Sequence, residues 1–326
     1  MDTKPNSDLD ALFMEIGDLL TGNPAQDDFY SFDRLYLRQF VLKELPLIHT
    51  GMTAKTRPHQ HIIRAVQMAC SVDINQLTDG DFMYVMARLR KSSFPEFPVR
   101  AQYTCSNMVY VNSKNNIGFG INPKDAKRLG FRLQPCGHSQ SEIVPHTEVL
   151  LNTLDDNDNR IKHPKISFPR VGTLTDYYDH IADHPHYKYV GDIARWVKPG
   201  KTYRAKLAYL MSQPDMDLFQ EIEKYKTKYF HGVTEKVRLR CGQCNHVMYH
   251  ESSPSMLSFF ADNSDKDIYN MCYNLMSQFG VMPDMNMPVR MFLYHHSTLA
   301  ADRREAEQKA KANNGGNKVM GTRRKY

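Results

Sequence analysis

The sequence predicts an α+β fold that is mainly helical, with a small β element formed from segments far apart in the chain. Apolar residues recur at helical spacing through most of the 326 residues. Two stretches, 99–105 and 233–241, alternate instead like β-strands. Hydrophobic residues make up 41% of the chain and charged residues 24%, which is typical of a globular protein.

The predicted helices are apolar stripes bounded by residues that start or stop helices. The first two follow apolar residues from Leu9 to Leu20 and from Leu35 to Val41, with Gly22, Ser31 and Pro46 at their ends. The later predicted helices cover 59–70, a stretch that Asp79 or Asp81 caps, 203–211, 217–230, 264–279, and a last helix from Pro288 toward Lys311 that frays at Asn313.

Four of the six cysteines have positions suited to a metal ion. Cys241 and Cys244 follow the second strand, and two intervening residues let both thiolates reach one ion. Cys105 ends the first strand, and Cys136 follows an Asn-, Gly- and Lys-rich excursion, 107–135, that we expect to be a loop or small hairpin. If residues 107–135 form a separate loop or hairpin, Cys105 and Cys136 can lie side by side. The four thiolates can then surround a structural zinc ion and make the β element similar to a zinc ribbon.

Other interpretations of the cysteines stay open at this point. The four thiols could be unliganded, and a histidine could replace one of them. The candidate histidines are His138, His246 and His250. Redox chemistry fits less well, because no helix begins at Cys241 to lower its thiol pKa. Cys70 and Cys272 lie among apolar helical residues and are predicted to be buried free thiols.

Charge is concentrated near the C-terminus. From Asp302 to Tyr326 there are eight Lys or Arg and three acidic residues, whereas the preceding chain has 34 basic and 33 acidic residues. A folded nucleic-acid-binding surface usually has its own basic excess, so we do not expect nucleic acid as a partner. We expect the basic end to be a solubilising, disordered tail, with contact to an acidic partner as the alternative.

No apolar run approaches the ~18 residues of a membrane-spanning helix, so we expect no membrane partner. The first ten residues are polar and acidic, which predicts no signal peptide and a location in a cytoplasm.

Recognisable catalytic motifs are absent from the sequence. It has no P-loop, dinucleotide glycine fingerprint, G-x-S-x-G or H-E-x-x-H. The pairs His184/His186 and His295/His296 lack a companion carboxylate at metal-site spacing. We therefore predict no enzyme activity, no catalytic residues and no cofactor-binding residues other than the four cysteines.

Several short motifs follow one another between about residues 30 and 262. They are Asp81-Phe-Met-Tyr84-Val-Met-Ala-Arg-Leu89-Arg90, Tyr103-Thr-Cys105, Pro135-Cys136-Gly-His138, Arg240-Cys241-Gly-Gln-Cys244 and Phe259-Phe260. This order resembles the baseplate hub proteins of T-even-like, contractile-tailed bacteriophages. In that family a D-x-x-Y-x-x-x-x-L-R helix leads into a cysteine-bearing strand, and a second cysteine pair precedes Phe-Phe. The chain departs from the family in its split first cysteine pair and in an added C-terminal helix and basic tail.

The resemblance implies a non-enzymatic structural or assembly component of the baseplate hub. Its partners would be other phage tail or baseplate proteins, with the tape-measure protein as a candidate. It would act in the host cytoplasm during assembly and could remain in the virion tail. The alternatives are a tape-measure chaperone that is absent from the mature virion and a zinc-ribbon nucleic-acid-binding protein.

The predicted domains follow from the distant halves of the β element. They are an N-terminal helical arm at 1–28, a discontinuous helical domain at 29–262 with the zinc-ribbon-like element at 97–145 and 233–252, a C-terminal helical extension at 263–312, and a basic disordered tail at 313–326.

Overall fold

A computed structural model of the protein describes residues 13–22, 29–54, 57–94, 99–114, 116–118, 120–144, 148–154, 163–213, 216–252, 270–274, 277, 280 and 283–316. The described residues form an α+β fold in which helices predominate and the strands pair in small antiparallel sheets. This confirms the predicted α+β class with mainly helical content.

The helices are α1 (Leu45–Thr53), α2 (Pro58–Met68), α3 (Asp79–Ser93), α4 (Pro123–Arg128), α5 (Leu174–Asp183), α6 (Lys188–Arg195), α7 (Tyr203–Met211), α8 (Asp217–Lys228) and α9 (Val289–Gly316). The strands are β1 (Met14–Glu15), β2 (Tyr36–Leu37), β3 (Val99–Thr104), β4 (Met108–Val111), β5 (Arg132–Pro135), β6 (Ser139–Val144), β7 (Glu148–Asn152), β8 (Gly232–Arg240) and β9 (Val247–Ser252). In the described residues, β1 pairs with β2, β3 with β6 and β4 with β5, and β7, β8 and β9 form a three-stranded sheet.

Helix α3 contributes one whole face to the main hydrophobic core. This face consists of the predicted residues Phe82, Val85, Met86 and Leu89, each at most 1% exposed. The N-cap is Thr78, whose side-chain oxygen accepts the backbone N–H of Asp81 at 3.2 Å, rather than Asp79 or Asp81. The two acidic residues lie in the first turn, where they complement the helix dipole.

The helix predicted from Leu9 to Leu20 is wrong in its described part, residues 13–22. Strand β1 occupies Met14–Glu15 and pairs with β2. The buried carboxylate of Asp81 accepts the backbone N–H groups of Leu20 at 2.7 Å and Thr21 at 3.3 Å. These long-range bonds replace the i→i−4 bonds of a helix, and the apolar spacing instead buries Leu19 and Leu20 beside a turn.

The helix predicted between Ser31 and Pro46 is also wrong. Residues 36–37 form β2, whose backbone bonds to the segment after α2, with Arg38 N–H donating to Ala69 at 3.1 Å. Pro46 does not stop a helix; it lies in the first turn of α1, where its missing N–H has no cost.

The other predicted helices are largely confirmed. Helices α2, α7 and α8 match the predicted segments 59–70, 203–211 and 217–230, and α9 starts directly after Pro288. Helix α9 continues to Gly316, past the predicted fraying at Asn313. Of the predicted helix 264–279, residues 270–274 and 277 are helical and the remainder lies outside the described residues. No helix in the described part of the chain is long and apolar enough to cross a membrane.

Strand β8 reaches the helical body at the first turn of α3. A Cβ atom on Gly80 would lie 2.5 Å from the backbone oxygen of His231, so only glycine allows this approach. The His231 ring nitrogen Nε2 lies 2.8 Å from the Thr78 hydroxyl, which in turn donates to Asp81 at 3.1 Å. A buried polar network therefore joins the β element to α3.

We predict that Asp81→Asn lowers the free energy of unfolding by about 2–3 kcal/mol, because donors that the carboxylate satisfies lose a buried acceptor. These donors are Leu20 N, Thr21 N, Thr21 Oγ1, Tyr30 Oη and Thr78 Oγ1. Urea denaturation measures the change. The exposed control Asp33→Asn should stay within about 0.5 kcal/mol of the parent. Equal effects of the two changes would contradict the structural role of Asp81.

Candidate metal centre

Two β-hairpins direct their turns at each other. The first is β3–β6, in which Thr104 pairs with Ser139, and its turn contains Cys105 and Cys136. The second is β8–β9, in which Arg240 pairs with Val247, and its turn contains Cys241 and Cys244. Each cysteine pair is therefore fixed at the end of a ladder of backbone hydrogen bonds.

The two turns have the same backbone hydrogen bonds. In the second turn, Cys241 N–H donates to His246 O at 2.9 Å, and Asn245 N–H donates to Cys241 O at 2.9 Å. In the first turn, Cys105 N–H donates to His138 O at 2.9 Å, and Gly137 N–H donates to Cys105 O at 3.0 Å.

The left-handed residue of each turn is also equivalent. Gly137 has φ 65° and Asn245 has φ 58°, and these are two residue types that tolerate this conformation. We call the two turns the first knuckle (105–107 with 136–138) and the second knuckle (241–246).

Without residues 108–135, the first knuckle would read Cys-Ser-Asn-Cys-Gly-His, beside Cys-Gly-Gln-Cys-Asn-His in the second. The first is thus a two-residue cysteine knuckle with a long insertion before its second cysteine. Cys136 N–H donates to Asn107 O at 2.8 Å, which closes the base of the insertion.

The insertion is a small folded unit. Strands β4 and β5 pair from Met108–Pro135 to Val111–Arg132, and α4 lies between them in sequence. Asn122 caps α4 by accepting the Asp125 N–H at 2.9 Å. The prediction of a loop or small hairpin at 107–135 is confirmed as a hairpin with an added short helix.

The four sulfur atoms have the spacing of one tetrahedral site. All of them lie within 4.8 Å of one another, with Cys105 Sγ 3.6 Å from Cys244 Sγ and Cys136 Sγ 3.8 Å from Cys241 Sγ. Metal–sulfur bonds of about 2.3 Å in a tetrahedron separate the sulfurs by about 3.8 Å. The sulfurs thus fit around one metal ion, and the structure brings together all four cysteines predicted as ligands.

Burial and hydrogen bonding shift the pKa values of the described thiols in different directions. Burial raises the pKa of the Cys105 thiol to about 12, helped by the nearby thiols of Cys244 and Cys241. Burial likewise raises the pKa of Cys136. At Cys241 burial acts in the same direction, but N–H groups of Cys244 and Gln243 outweigh it and lower the pKa to about 7.

A cation would change this balance, because the thiolate is the form that ligates a metal. Four thiolates so close together repel one another unless a positive charge lies between them. Metal binding would therefore release protons and draw the four thiols into the ionised state. Four cysteine sulfurs are a ligand set that can bind such a metal cation.

The site is closed. Cys105 is 2% exposed, Cys241 1% and Cys244 8%, and Cys136 is half-buried. Four protein ligands complete a tetrahedron, which leaves no position for water or a substrate. The arrangement can hold a metal ion and connect segments, and it offers no vacancy for catalysis.

Polar side chains also reach the sulfurs, and the sequence analysis missed them. Asn107 Nδ2 lies 3.7 Å from Cys244 Sγ, and Gln243 Oε1 lies 3.8 Å from Cys136 Sγ. These residues occupy equivalent positions, two after the first cysteine of each knuckle. Aligning the two Cys-x-x-Cys-x-His patterns across the insertion would have identified them.

The proposed histidine substitutes contribute backbone rather than ring atoms to the described site. The carbonyls of His138 and His246 accept hydrogen bonds from Cys105 and Cys241, and the described metal-ligand group consists of cysteines. The side chain of His250 lies outside the described set. Cys70 is buried and free as predicted, and Cys272 is free but only half-buried.

A cavity of about 560 Å³ lies between α3, α6 and α8, away from the cysteines. Its acidic groups are held in ion pairs: Asp79 contacts Arg195 at 2.5 Å, and Asp192 contacts Lys226 at 2.8 Å. These pairs link helices α3, α6 and α8.

Comparisons with known proteins give no family for this chain. No family model, curated protein or solved structure matches it significantly.

We predict that the purified chain binds one Co²⁺ with the visible and near-ultraviolet absorption of a tetrahedral thiolate site. Replacing Cys105, Cys136, Cys241 or Cys244 singly with Ser should weaken binding by at least ~100-fold, because loss of a ligand exceeds loss of an outer-shell contact. Cys272→Ser is the matched control and should leave the spectrum unchanged. A spectrum that survives any of the four ligand changes would exclude the four-cysteine site.

We also predict that deleting 108–135 preserves binding of one Co²⁺ per chain. The deletion joins Asn107 to Cys136, whose backbone atoms already lie 2.8 Å apart, and restores a two-residue spacing. Cobalt titration measures the result, and circular dichroism checks that the helical body is folded. Loss of binding by a folded deletion variant would mean that the insertion itself forms part of the site.

Proposed function

We propose that this chain is a structural or assembly subunit of the baseplate hub of a contractile phage tail, with one zinc ion tying its fold together. The observation that carries the proposal is the closed set of four thiols from distant hairpins. Such a set stabilises a fold and leaves no open position for chemistry.

Zinc is the metal that best suits this donor set. Four thiolates in a tetrahedron fit zinc or iron. The two knuckles each end a β-hairpin, as in a zinc-ribbon-like element, and zinc adds no redox chemistry to a structural site. Elemental analysis should find one zinc ion per chain, whereas a coloured iron protein would reject zinc.

The hub assignment is supported by the order of the motifs. The D-x-x-Y-x-x-x-x-L-R segment is part of α3, and the cysteine-bearing strand that follows is β3. Next come the first knuckle, a helical middle and the second knuckle, in the order of the phage proteins that the chain resembles. A structural role also agrees with the ion-paired carboxylates in the cavity.

A tape-measure chaperone is the second candidate, and helix α9 favours it. Its first turns pack on the core through Val289 and Phe292, but its described side chains from Tyr294 to Lys311 are exposed or half-exposed. Tyr294 is 67% exposed and Leu299 48%. A projecting helix with exposed apolar residues suits a helical protein partner.

Mass spectrometry of purified virions tests the hub proposal. We expect the chain in particles of the phage that encodes it, and we expect disruption of its gene to stop tail assembly. Presence of tails with absence of the chain from virions would favour the chaperone instead. Strong, salt-dependent DNA binding by the purified chain would favour the nucleic-acid alternative.

A further inference from the structure

The insertion, residues 108–135, differs in charge from the rest of the folded chain. It has five Lys or Arg residues and a single acidic residue, Asp125. Because the chain before Asp302 has 34 basic and 33 acidic residues in all, the part outside the insertion is acidic on balance. The five cations are all exposed, and they are Lys114, Lys124, Lys127, Arg128 and Arg132.

These charges are available to a partner. Arg128 contacts Asp125 at 3.6 Å, and both side chains are substantially exposed. No other carboxylate of the described residues forms an ion pair with the insertion's cations. Five cations and one carboxylate give the insertion a net charge of +4. A divalent ion bound by four thiolates has a net charge of −2, so the insertion and a metal-loaded site together remain positive.

One face of the insertion's β-hairpin is apolar and exposed. The register pairs Tyr110 with Leu133, and Met108 lies two residues from Tyr110 on the same face. Met108 is 51% exposed and Leu133 54%. The opposite face contains Val109 and Val111, which are buried against the cysteines. An exposed apolar face of this kind is typical of an interaction site.

A metal ion bound by the four thiols would fix both ends of the insertion. Cys105 and Cys136 bound the insertion on either side, and the hydrogen bond from Cys136 N–H to Asn107 O closes its base. A surface that is already ordered loses less entropy on binding than a flexible loop would.

We infer that the insertion is a docking surface for an acidic, amphipathic segment of a protein partner. Its cations complement acidic side chains, and its aliphatic face complements apolar ones. Binding of single-stranded nucleic acid relies on exposed aromatic rings that stack on bases. The large hydrophobic side chains that the described insertion exposes most are instead Met108, Leu129 and Leu133, which favours a protein. This docking surface is argued from charge, exposure and the attachment of the insertion at the cysteines, and it does not depend on the phage-tail assignment.

Fluorescence anisotropy of the full-length, zinc-loaded chain with labelled probes tests this inference at about 0.15 M salt, where weak surface attraction is screened. The probe is an amphipathic peptide of Leu and Glu. The comparison probes are the same peptide with Lys for Glu, a polyglutamate peptide and single-stranded oligo-dT. We expect the Leu/Glu peptide to bind most tightly.

Two sets of changes should each weaken binding of the Leu/Glu peptide by about tenfold or more. One reverses charge (Lys114→Glu, Lys124→Glu, Lys127→Glu), and the other removes the apolar face (Met108→Ser, Leu133→Ser). The control reverses three exposed lysines of the helical body (Lys188→Glu, Lys201→Glu, Lys224→Glu) and should change affinity less than about twofold. Retention of one zinc ion per chain shows that the two cysteines on either side of the insertion, Cys105 and Cys136, remain in place in each variant.

Several results would overturn the inference. These are no binding of the Leu/Glu peptide, equal loss in the control variant, or polyglutamate binding as tightly as the Leu/Glu peptide. Tighter binding of oligo-dT would assign the surface to nucleic acid. If the charge-reversed variant loses zinc, the corresponding Gln substitutions replace it, and binding that they leave unchanged also counts against the inference.

Discussion

Convergence of four sulfur atoms from two hairpins is the constraint on which the β element depends. Cys136 and Cys241 are 105 residues apart in sequence, yet their sulfurs lie 3.8 Å apart. The entropy cost of closing a loop grows only slowly with its length, so a few strong bonds suffice to hold so distant a contact. A metal ion at this point would connect the hairpins on either side of the helical segments α5 to α8.

Among the side chains that the structure describes in the β element, few apolar ones are buried around the sulfurs. Its buried cluster is small and separate from the main core, and three of its five buried members are cysteines. Val109 and Val111 supply the rest. Domains with such small cores usually depend on a metal or a disulfide, and the cysteines here are free thiols. In this described cluster the sulfur site therefore supplies most of the buried contacts, while the His231–Thr78–Asp81 network connects the element to α3.

The shared backbone of the two knuckles explains how a long insertion is tolerated. The bonds that fix each cysteine pair run between residues 105–107 and 136–138 in one case and within 241–246 in the other. The insertion enters and leaves between these bonds, so it leaves the ligand geometry intact. Because the ligand geometry does not depend on the insertion, the insertion can have a positive charge and an exposed apolar face that play no part in metal binding.

The sequence by itself determined the elements whose signals are local. The stripe of α3, the bounds of α7 and the strands leading to Cys105 and Cys241 depend on neighbouring residues, and so does the identity of the four thiols. Tertiary structure decided the segments around Leu20 and Leu37, because their backbone partners, Asp81 and Ala69, lie far along the chain. It also decided that the first knuckle matches the second, since the hydrogen bond from Cys136 N–H to Asn107 O joins residues that the whole insertion separates in sequence.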